Sequence, residues 1–234
     1  MTDAEKDSRL PAAVLWDMDG TLVDTEPLWM AAQAEIAREA DVVWTEADAL
    51  GRVGAAMPAT AAVLQGRGVP GTVDEIVDSL VDRVVAALAT EIPWLPGAQR
   101  TLVGLAAAGV PCALVTMAYS PVANRVAAAA GTAFVTVVAG DHVTHGKPHP
   151  EPYLRAAQAL GVEPGACVAI EDSLNGTRSA QAAGVREVVV VPGVVAVPPA
   201  PGRRHVDSLS DLDLAVLSTA SCSASSTRFA CDGG

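Results

Sequence analysis

Short apolar runs alternate with longer amphipathic stretches through most of the chain after residue 97. Together with a run near the N-terminus, they predict strands over 12–16, 110–116, 134–138, 167–170 and, as the last strand, 187–191. The stretches between them predict helices over 98–108, 121–130, 151–160 and 174–183. This alternation is typical of parallel strands joined by right-handed crossovers. The sequence therefore predicts an α/β fold, a Rossmann-like three-layer α/β/α sandwich with a parallel sheet.

Residues 25–93 lack the alternation of strands and have the apolar spacing of helices. Residues 72–75 form a capping-box pattern at the start of a second helical unit. Prolines and a glycine near both edges of this segment break helices and can form hinges. We therefore predict an inserted all-helical cap domain. The predicted domains are a main domain of residues 1–24 and 94–217 and a cap domain of residues 25–93.

The end of the chain has a different composition. After residue 192 it is rich in proline, valine and glycine, and a short amphipathic piece follows at 209–217. Residues 218–234 are rich in serine and threonine and carry little apolar mass. Segments of this kind bury too little surface to offset the entropy lost on ordering. We expect this tail to be disordered and assign it no role.

Composition and charge limit the size of the core and the choice of partners. Of the 234 residues, 50% are apolar, which suffices for one substantial core and a smaller satellite domain. The excess of 27 acidic over 15 basic residues opposes binding to nucleic acids and to anionic membranes. The chain shows no apolar stretch of transmembrane length, no signal-peptide core and no Cys-x-x-Cys spacing. We expect a monomeric cytoplasmic protein.

The strand predicted at 12–16 ends in two carboxylates one residue apart, Asp17 and Asp19. Open α/β sheets bind ligands at strand ends, and Gly20 permits a sharp turn that brings Asp19 back over this end. The arrangement offers a carboxylate nucleophile, a second carboxyl group as acid and base, and backbone amides for an anion such as phosphate. An isolated Asp-x-Asp pair also occurs in solvated loops and as a cap, so the pair alone leaves both interpretations open.

Two more predicted strands end in polar residues. Thr116 ends the strand at 110–116, where its hydroxyl and the next amide suit a phosphate oxygen, although a plain β-branched strand end is the simpler interpretation. Glu171 and Asp172 follow the strand at 167–170. They could instead cap the next helix, which is worth up to about 1 kcal/mol. At the same edge of a parallel sheet, these residues would approach the first acidic pair.

Lys147 is held between a glycine and a proline just before a predicted helix. Most lysines are solvated, but one preset in this way can offset the charge of a phosphate and of an acidic cluster. His145 and His149 flank it, and without further metal-type ligands nearby we interpret both as surface or supporting residues. Four carboxylates facing one lysine would repel each other unless a hard cation lay among them. Mg²⁺ takes oxygen ligands and bridges to phosphate, so we predict a Mg²⁺ site.

Residues 17–25, with the sequence DMDGTLVDT, resemble the first motif of the haloacid dehalogenase superfamily of phosphatases and phosphomutases. Thr116, Lys147 and the pair at 171–172 resemble its second, third and fourth motifs, in the same order. The resemblance covers residues 12 to about 192. A helical insert directly after the first motif points to the branch that resembles β-phosphoglucomutase and small-metabolite phosphatases.

The resemblance implies a Mg²⁺-dependent phosphatase that hydrolyses a small phosphomonoester, a sugar phosphate or similar metabolite, through an aspartyl-phosphate. Asp17 is then the nucleophile and Asp19 the general acid and base, and Mg²⁺ and Lys147 stabilise the phosphoryl oxygens. Thr116 binds a phosphate oxygen. The metal ligands implied are Asp17, the backbone carbonyl of Asp19, Asp172 and, beside them, Glu171.

A further set of residues is expected to contact the substrate: Met18, Gly20, Trp29, Arg52 and Met117. Trp29 lies early in the first predicted cap helix, close in sequence to the nucleophile, and a tryptophan in the core of the cap is an equal alternative. Arg52 is flanked by glycines, although an ordinary surface arginine is the plainer interpretation. The cap as a whole is expected to cover the site and exclude water.

Three other functions compete with a phosphatase. A dehalogenase also uses an aspartate nucleophile, but its family pattern lacks the second aspartate of the first motif. Phosphomutases keep that aspartate, yet the enzymes that resemble this chain carry a histidine where it has Trp29, so a mutase ranks second. A non-catalytic metabolite-binding module would be expected to lack the nucleophile or a metal ligand, and none is missing.

Overall fold

The core of the protein is a six-stranded sheet. A computed structural model describes residues 10–52 and 55–218. The strands are β1 (Ala13–Trp16), β2 (Cys112–Val115), β3 (Phe134–Val138), β4 (Cys167–Glu171), β5 (Glu187–Val190) and β6 (Arg203–His205). Their order across the sheet is β3-β2-β1-β4-β5-β6, and every neighbouring pair is parallel. The predicted parallel sheet is confirmed, with β1 near its centre.

The sequence pattern misses the sixth strand. Arg203–His205 pairs in parallel with β5, so the expectation that the strand at 187–191 is the last one is wrong. The three residues of β6 are polar and lie at the edge of the sheet, where backbone pairing does not require an apolar run. Apolar spacing therefore gives no signal for this strand.

Helices cover both faces of the sheet. The helices of the described residues are α1 (Glu26–Glu39), α2 (Glu46–Leu50), α3 (Met57–Gly66), α4 (Val73–Thr90), α5 (Ala98–Ala107), α6 (Ser120–Ala129), α7 (Glu151–Leu160), α8 (Leu174–Ala182) and α9 (Leu214–Leu217). Along β1 the side chains alternate: Val14 and Trp16 join a hydrophobic cluster with α5 and α6, whereas Ala13 and Leu15 join one with α7 and α8. The predicted three-layer sandwich is therefore confirmed.

Four helices, α1 to α4, follow β1 and precede α5. Thr72 starts α4 with the predicted capping box, since its hydroxyl accepts the N–H of Glu75 at 3.2 Å and the Glu75 carboxylate accepts the N–H of Thr72 at 2.7 Å. The apolar stripe of α4 is buried, and its buried members are Ile76, Val77, Leu80, Val81, Val84 and Leu88. Where the structure describes this segment, it is helical as expected. Its division from the main domain as a cap stays a prediction.

The two ends of this helical segment lie side by side. The N–H of Asp24 donates to the carbonyl of Pro93 at 2.9 Å, and the N–H of Leu95 donates to the carbonyl of Leu22 at 2.8 Å. These bonds tie the segment that precedes α5 to the turn after β1. The helices α1 to α4 therefore leave and rejoin the sandwich at the carboxyl end of its central strand.

The amphipathic piece expected at 209–217 packs on the sandwich. It consists of a 3-10 turn, Leu209–Asp211, and the short helix α9, and its leucines at 209, 212 and 217 are buried. Residues 219–234 of the predicted tail lie outside the described residues. Among the residues that the structure describes, no helix is both long enough and apolar enough to cross a membrane.

Candidate active site

A tight turn after β1 places two aspartates at the carboxyl end of the sheet. The N–H of Asp17 donates to the carbonyl of Ile170 in β4 at 3.0 Å, and the carbonyl of Met18 accepts the N–H groups of the residues that close the turn. Gly20 has a φ of 79°, a left-handed conformation that disfavours other residues. A Cβ atom at this position would also overlap the carboxylate of Asp172. Glycine thus lets the turn approach the end of β4.

Three of the four carboxylates that the sequence predicts to converge form one cluster at this edge of the sheet. One oxygen each of Asp17, Glu171 and Asp172 lies within 4.8 Å of the other two. The side chain of Asp17 is buried, Glu171 is fully buried and Asp172 is half-buried. Close packing of three acidic groups is unfavourable without positive charge, so the neighbours of this cluster decide its chemistry.

Lys147 brings a positive charge into the cluster from the loop before α7. Its Nζ donates to Asp17 Oδ1 at 2.5 Å, to Glu171 Oε1 at 2.6 Å and to the carbonyl of Val115 at 2.9 Å. Its side chain is only 5% exposed. These acceptors follow or end β1, β4 and β2, so the ammonium group joins three adjacent strands. All three donor positions of the ammonium group are therefore used.

The charges shift the pKa values of these groups. Burial alone would lower the pKa of Lys147, but the negative charges of Asp17 and Glu171 outweigh it and raise that pKa. Burial raises the pKa of Asp17 well above its ordinary value, and the charge of Glu171 adds to this while Lys147 opposes it. Burial, followed by Glu171, raises the pKa of Asp172 to about 7. One lysine does not neutralise three carboxylates, and the cluster therefore favours either a proton or a further cation.

Asp19 is held by two threonine hydroxyls. Thr116 donates to Asp19 Oδ2 at 3.1 Å, and Thr25 donates to Oδ1. The Thr116 oxygen in turn accepts the N–H of Ala118 at 3.0 Å, which fixes its orientation. Burial raises the pKa of Asp19, although both hydroxyl contacts lower it. Thr116 thus lies at this site as a support for Asp19, with Thr25 as a second support, and its contact with a phosphate oxygen stays a prediction.

Tyr153 is a residue of this site that the sequence analysis missed. Its hydroxyl donates to Glu171 Oε1 at 2.7 Å, and its ring centroid lies 5.2 Å from the Lys147 ammonium group. Ser173 donates through its hydroxyl and its N–H to the other oxygen of Glu171, at 3.0 and 3.3 Å. Both oxygens of Glu171 are therefore occupied. The available signal was a tyrosine on the apolar face of α7, since a buried hydroxyl requires a hydrogen-bond partner.

Met117 supports the loop that carries the lysine. Its sulfur accepts the N–H of Lys147 at 3.2 Å, and a Cβ atom on Gly146 would come within 2.7 Å of that sulfur. The sequence analysis expected Met117 to contact the substrate. The structure gives its side chain a contact with the backbone of Lys147, and its contact with substrate stays a prediction.

The two residues proposed from the helical segment lie in different environments. Trp29 is 7% exposed and belongs to the larger hydrophobic cluster, as expected for a packing residue. Arg52 is half-buried just after α2, where its N–H donates to the carbonyl of Ala49 at 2.9 Å. Contact of either side chain with a substrate stays a prediction.

The chain and its fold are similar to those of known proteins. A family model described as haloacid dehalogenase-like hydrolase matches residues 11–184. Hexitol phosphatase B of Escherichia coli (strain K12) is 32% identical over 192 residues, which are 76% of this chain and 82% of that protein. Protein CbbY of Rhodobacter capsulatus is 34% identical over 190 residues, which are 76% and 84% of the two chains. The crystal structure of CbbY from Rhodobacter sphaeroides in complex with phosphate superposes with a TM-score of 0.77 at 29% identity and covers 86% of this chain and 96% of that one.

The contact between Tyr153 and Glu171 predicts a loss of stability when the hydroxyl is removed. Tyr153→Phe keeps the volume of the ring but takes one donor from a fully buried carboxylate, so the free energy of unfolding should fall by about 1–3 kcal/mol. Urea denaturation followed by circular dichroism measures this change. Tyr119→Phe is the matched control, because Tyr119 is partly exposed, and its effect should stay within about 0.5 kcal/mol. Equal effects of both substitutions would contradict the proposed contact.

Proposed function

This chain belongs to the haloacid dehalogenase-like hydrolases, and we propose that it hydrolyses a small phosphomonoester through a covalent phosphoryl intermediate on Asp17. The observation that carries the proposal is the pairing of two differently supported aspartates at the end of β1. Asp17 contacts a buried lysine, whereas Asp19 contacts two hydroxyls. Two neighbouring carboxyl groups with different environments suit two different roles, one as nucleophile and one as acid and base.

The residues present fit a divalent cation. The cluster of Asp17, Glu171 and Asp172 has excess negative charge, and the pKa of Asp172 is raised to about 7 by burial and by Glu171. Oxygen ligands in this number favour Mg²⁺. Asp17, Asp172 and the backbone carbonyl of Asp19 would hold the ion, which supplies charge neutralisation to the phosphoryl oxygens. Because each oxygen of Glu171 already accepts two hydrogen bonds, we assign Glu171 to holding Lys147 in place.

Asp17 is the proposed nucleophile. Lys147 binds its Oδ1 atom and thereby favours the ionised carboxylate that attack on phosphorus requires. The other oxygen of Asp17 is the one we assign to the attack. Lys147, with its three acceptors fixed by neighbouring strands, keeps its charge at the place where the phosphoryl oxygens must lie.

Asp19 is the proposed general acid and base. Burial raises its pKa, so that a proton can be held for the leaving alcohol and later recovered from the attacking water. The hydroxyls of Thr25 and Thr116 fix both of its oxygens. Trp29, at the position where the resembling mutases carry a histidine, has no group that transfers protons, which favours hydrolysis over isomerisation.

The substrate we propose is a sugar phosphate or a sugar-alcohol phosphate. Two relatives support this class, since one is named hexitol phosphatase B and CbbY from Rhodobacter sphaeroides has been crystallised with xylulose-(1,5)bisphosphate. The phosphate would lie at the sheet edge, and the leaving group under the helices α1 to α4. Trp29 and Arg52 remain the residues of that segment that we propose for substrate contacts.

A panel of sugar and sugar-alcohol phosphates tests the proposal. Phosphate release should be measured with Mg²⁺ present, together with a separate assay for isomerisation of β-glucose 1-phosphate. Asp17→Asn should lower turnover of every accepted substrate by at least about a thousandfold, because the covalent route is lost. Asp82→Asn removes the same charge from an exposed position of α4 and should leave turnover unchanged. Near-normal turnover by Asp17→Asn would contradict the assigned nucleophile, and isomerisation without net phosphate release would favour a mutase.

Dependence on Mg²⁺ follows from the excess charge of the carboxylate cluster. Chelation with excess EDTA should abolish phosphate release, and added Mg²⁺ should restore it, because the cluster without a cation favours a proton, whereas attack on phosphorus requires ionised Asp17. Ca²⁺ should restore less activity, because its larger, less regular coordination fits in-line transfer poorly. Full activity in excess chelator would show that Lys147 alone compensates the charge.

A further inference from the structure

A second group of metal-type ligands lies outside the carboxylate cluster. His145, His149 and Glu151 each offer one donor atom, and these atoms lie within 4.8 Å of one another. The sequence analysis identified no further metal-type ligand near the two histidines, but the fold brings Glu151 to them. We propose that these three residues bind a divalent transition-metal ion such as Zn²⁺. The proposal is independent of the phosphatase activity.

Backbone hydrogen bonds fix the orientation of the Glu151 carboxylate. Its Oε1 accepts the N–H of Thr144 at 2.9 Å, and its Oε2 accepts the N–H of His145 at 2.9 Å. The backbone therefore orients the carboxylate, and each oxygen retains a lone pair for an ion.

The imidazole of His145 lies close enough to the Glu151 carboxylate for both groups to bind the same ion. Its Nδ1 lies 3.1 Å from Glu151 Oε2, with the side chain of His145 largely exposed. A tetrahedral ion with bonds of about 2.0–2.1 Å separates neighbouring ligand atoms by roughly 3.3 Å. A metal ion can therefore replace the proton between these two atoms with little movement of either side chain.

His149 presents the third donor. Its Nδ1 accepts the N–H of Glu151 at 3.2 Å, so this nitrogen carries the lone pair that a metal requires. The rings of His145 and His149 have centroids 4.6 Å apart, which places both on the same side of the loop. Binding would exchange one long amide contact for a metal bond.

The backbone of residues 145–152 is conformationally restricted before any ion binds. Prolines at 148, 150 and 152 alternate with the other residues, and each fixes its own φ near −65°. All three ligands come from residues 145–151. A short, restricted segment that already groups its ligands pays a small entropy cost when it binds an ion.

The ligands of this site and those of the carboxylate cluster favour different metal ions. Two imidazoles and one carboxylate favour Zn²⁺ and similar ions, whereas an all-oxygen set favours Mg²⁺. Three protein ligands leave a fourth position for water. Lys147 lies between the two histidines in the chain, so an ion bound here would hold both flanks of the loop that carries the catalytic lysine.

Titration calorimetry with ZnCl₂ in saturating MgCl₂ tests the proposal on the full chain. The protein should bind one equivalent of Zn²⁺, and His145→Ala and Glu151→Gln should each weaken the affinity by at least about tenfold. His205→Ala removes an exposed histidine from β6 and should leave the affinity unchanged. Melting temperatures without metal check that each variant is folded, and the exposed His145→Ala serves if Glu151→Gln is not.

Two results would overturn the proposal. The first is the absence of Zn²⁺ binding by the unsubstituted protein, or an affinity that His145→Ala leaves unchanged. The second is a loss of Zn²⁺ binding in Asp172→Asn while His145→Ala still binds, which would place the ion in the carboxylate cluster. Neither result bears on the phosphatase proposal, because phosphate release with Mg²⁺ is measured separately.

Discussion

The buried ammonium group of Lys147 holds the carboxyl ends of three strands together. Its contacts reach Asp17 after β1, Glu171 at the end of β4 and the carbonyl of Val115 at the end of β2. Moving such a group out of water costs several kcal/mol, and only well-placed opposite charges and hydrogen bonds offset that cost. The residues around the lysine hold it and its partner in place. The sulfur of Met117 accepts the backbone N–H of Lys147, and the hydroxyl of Tyr153 donates to the carboxylate of Glu171.

Small residues make this close packing possible. A Cβ atom at Gly20 would overlap Asp172, and one at Gly176 would overlap the carboxylate of Glu171. Gly193 approaches Asp172 from the loop after β5, where a Cβ atom would lie 2.8 Å from its Oδ2. At these three glycines the backbone therefore approaches the carboxylates more closely than a residue with a side chain would allow.

Sequence patterns predict those parts of the structure that depend on local spacing. The strand Phe134–Val138 and the helix Glu151–Leu160 begin and end where apolar spacing places them. Asp17, Thr116 and Glu171 meet at one edge of the sheet because parallel strands have their carboxyl ends at the same edge. By contrast, β6 depends on backbone pairing at the sheet edge. The partner of Tyr153 depends on how α7 packs on the sheet, and the approach of Glu151 to the two histidines depends on the turn between them, neither of which apolar spacing encodes.

A double-mutant cycle on Lys147 and Glu171 tests most directly whether this charge pair organises the site. Lys147→Met leaves buried carboxylates unpaired and should lower the free energy of unfolding by about 3–5 kcal/mol. Glu171→Gln in the same background removes one of those charges, so the loss in the double variant should be smaller than the sum of the single losses by at least about 1 kcal/mol. Urea unfolding at neutral pH without metal measures all four proteins. Additive losses would contradict the account, because they would show that the lysine and the carboxylate stabilise the fold independently.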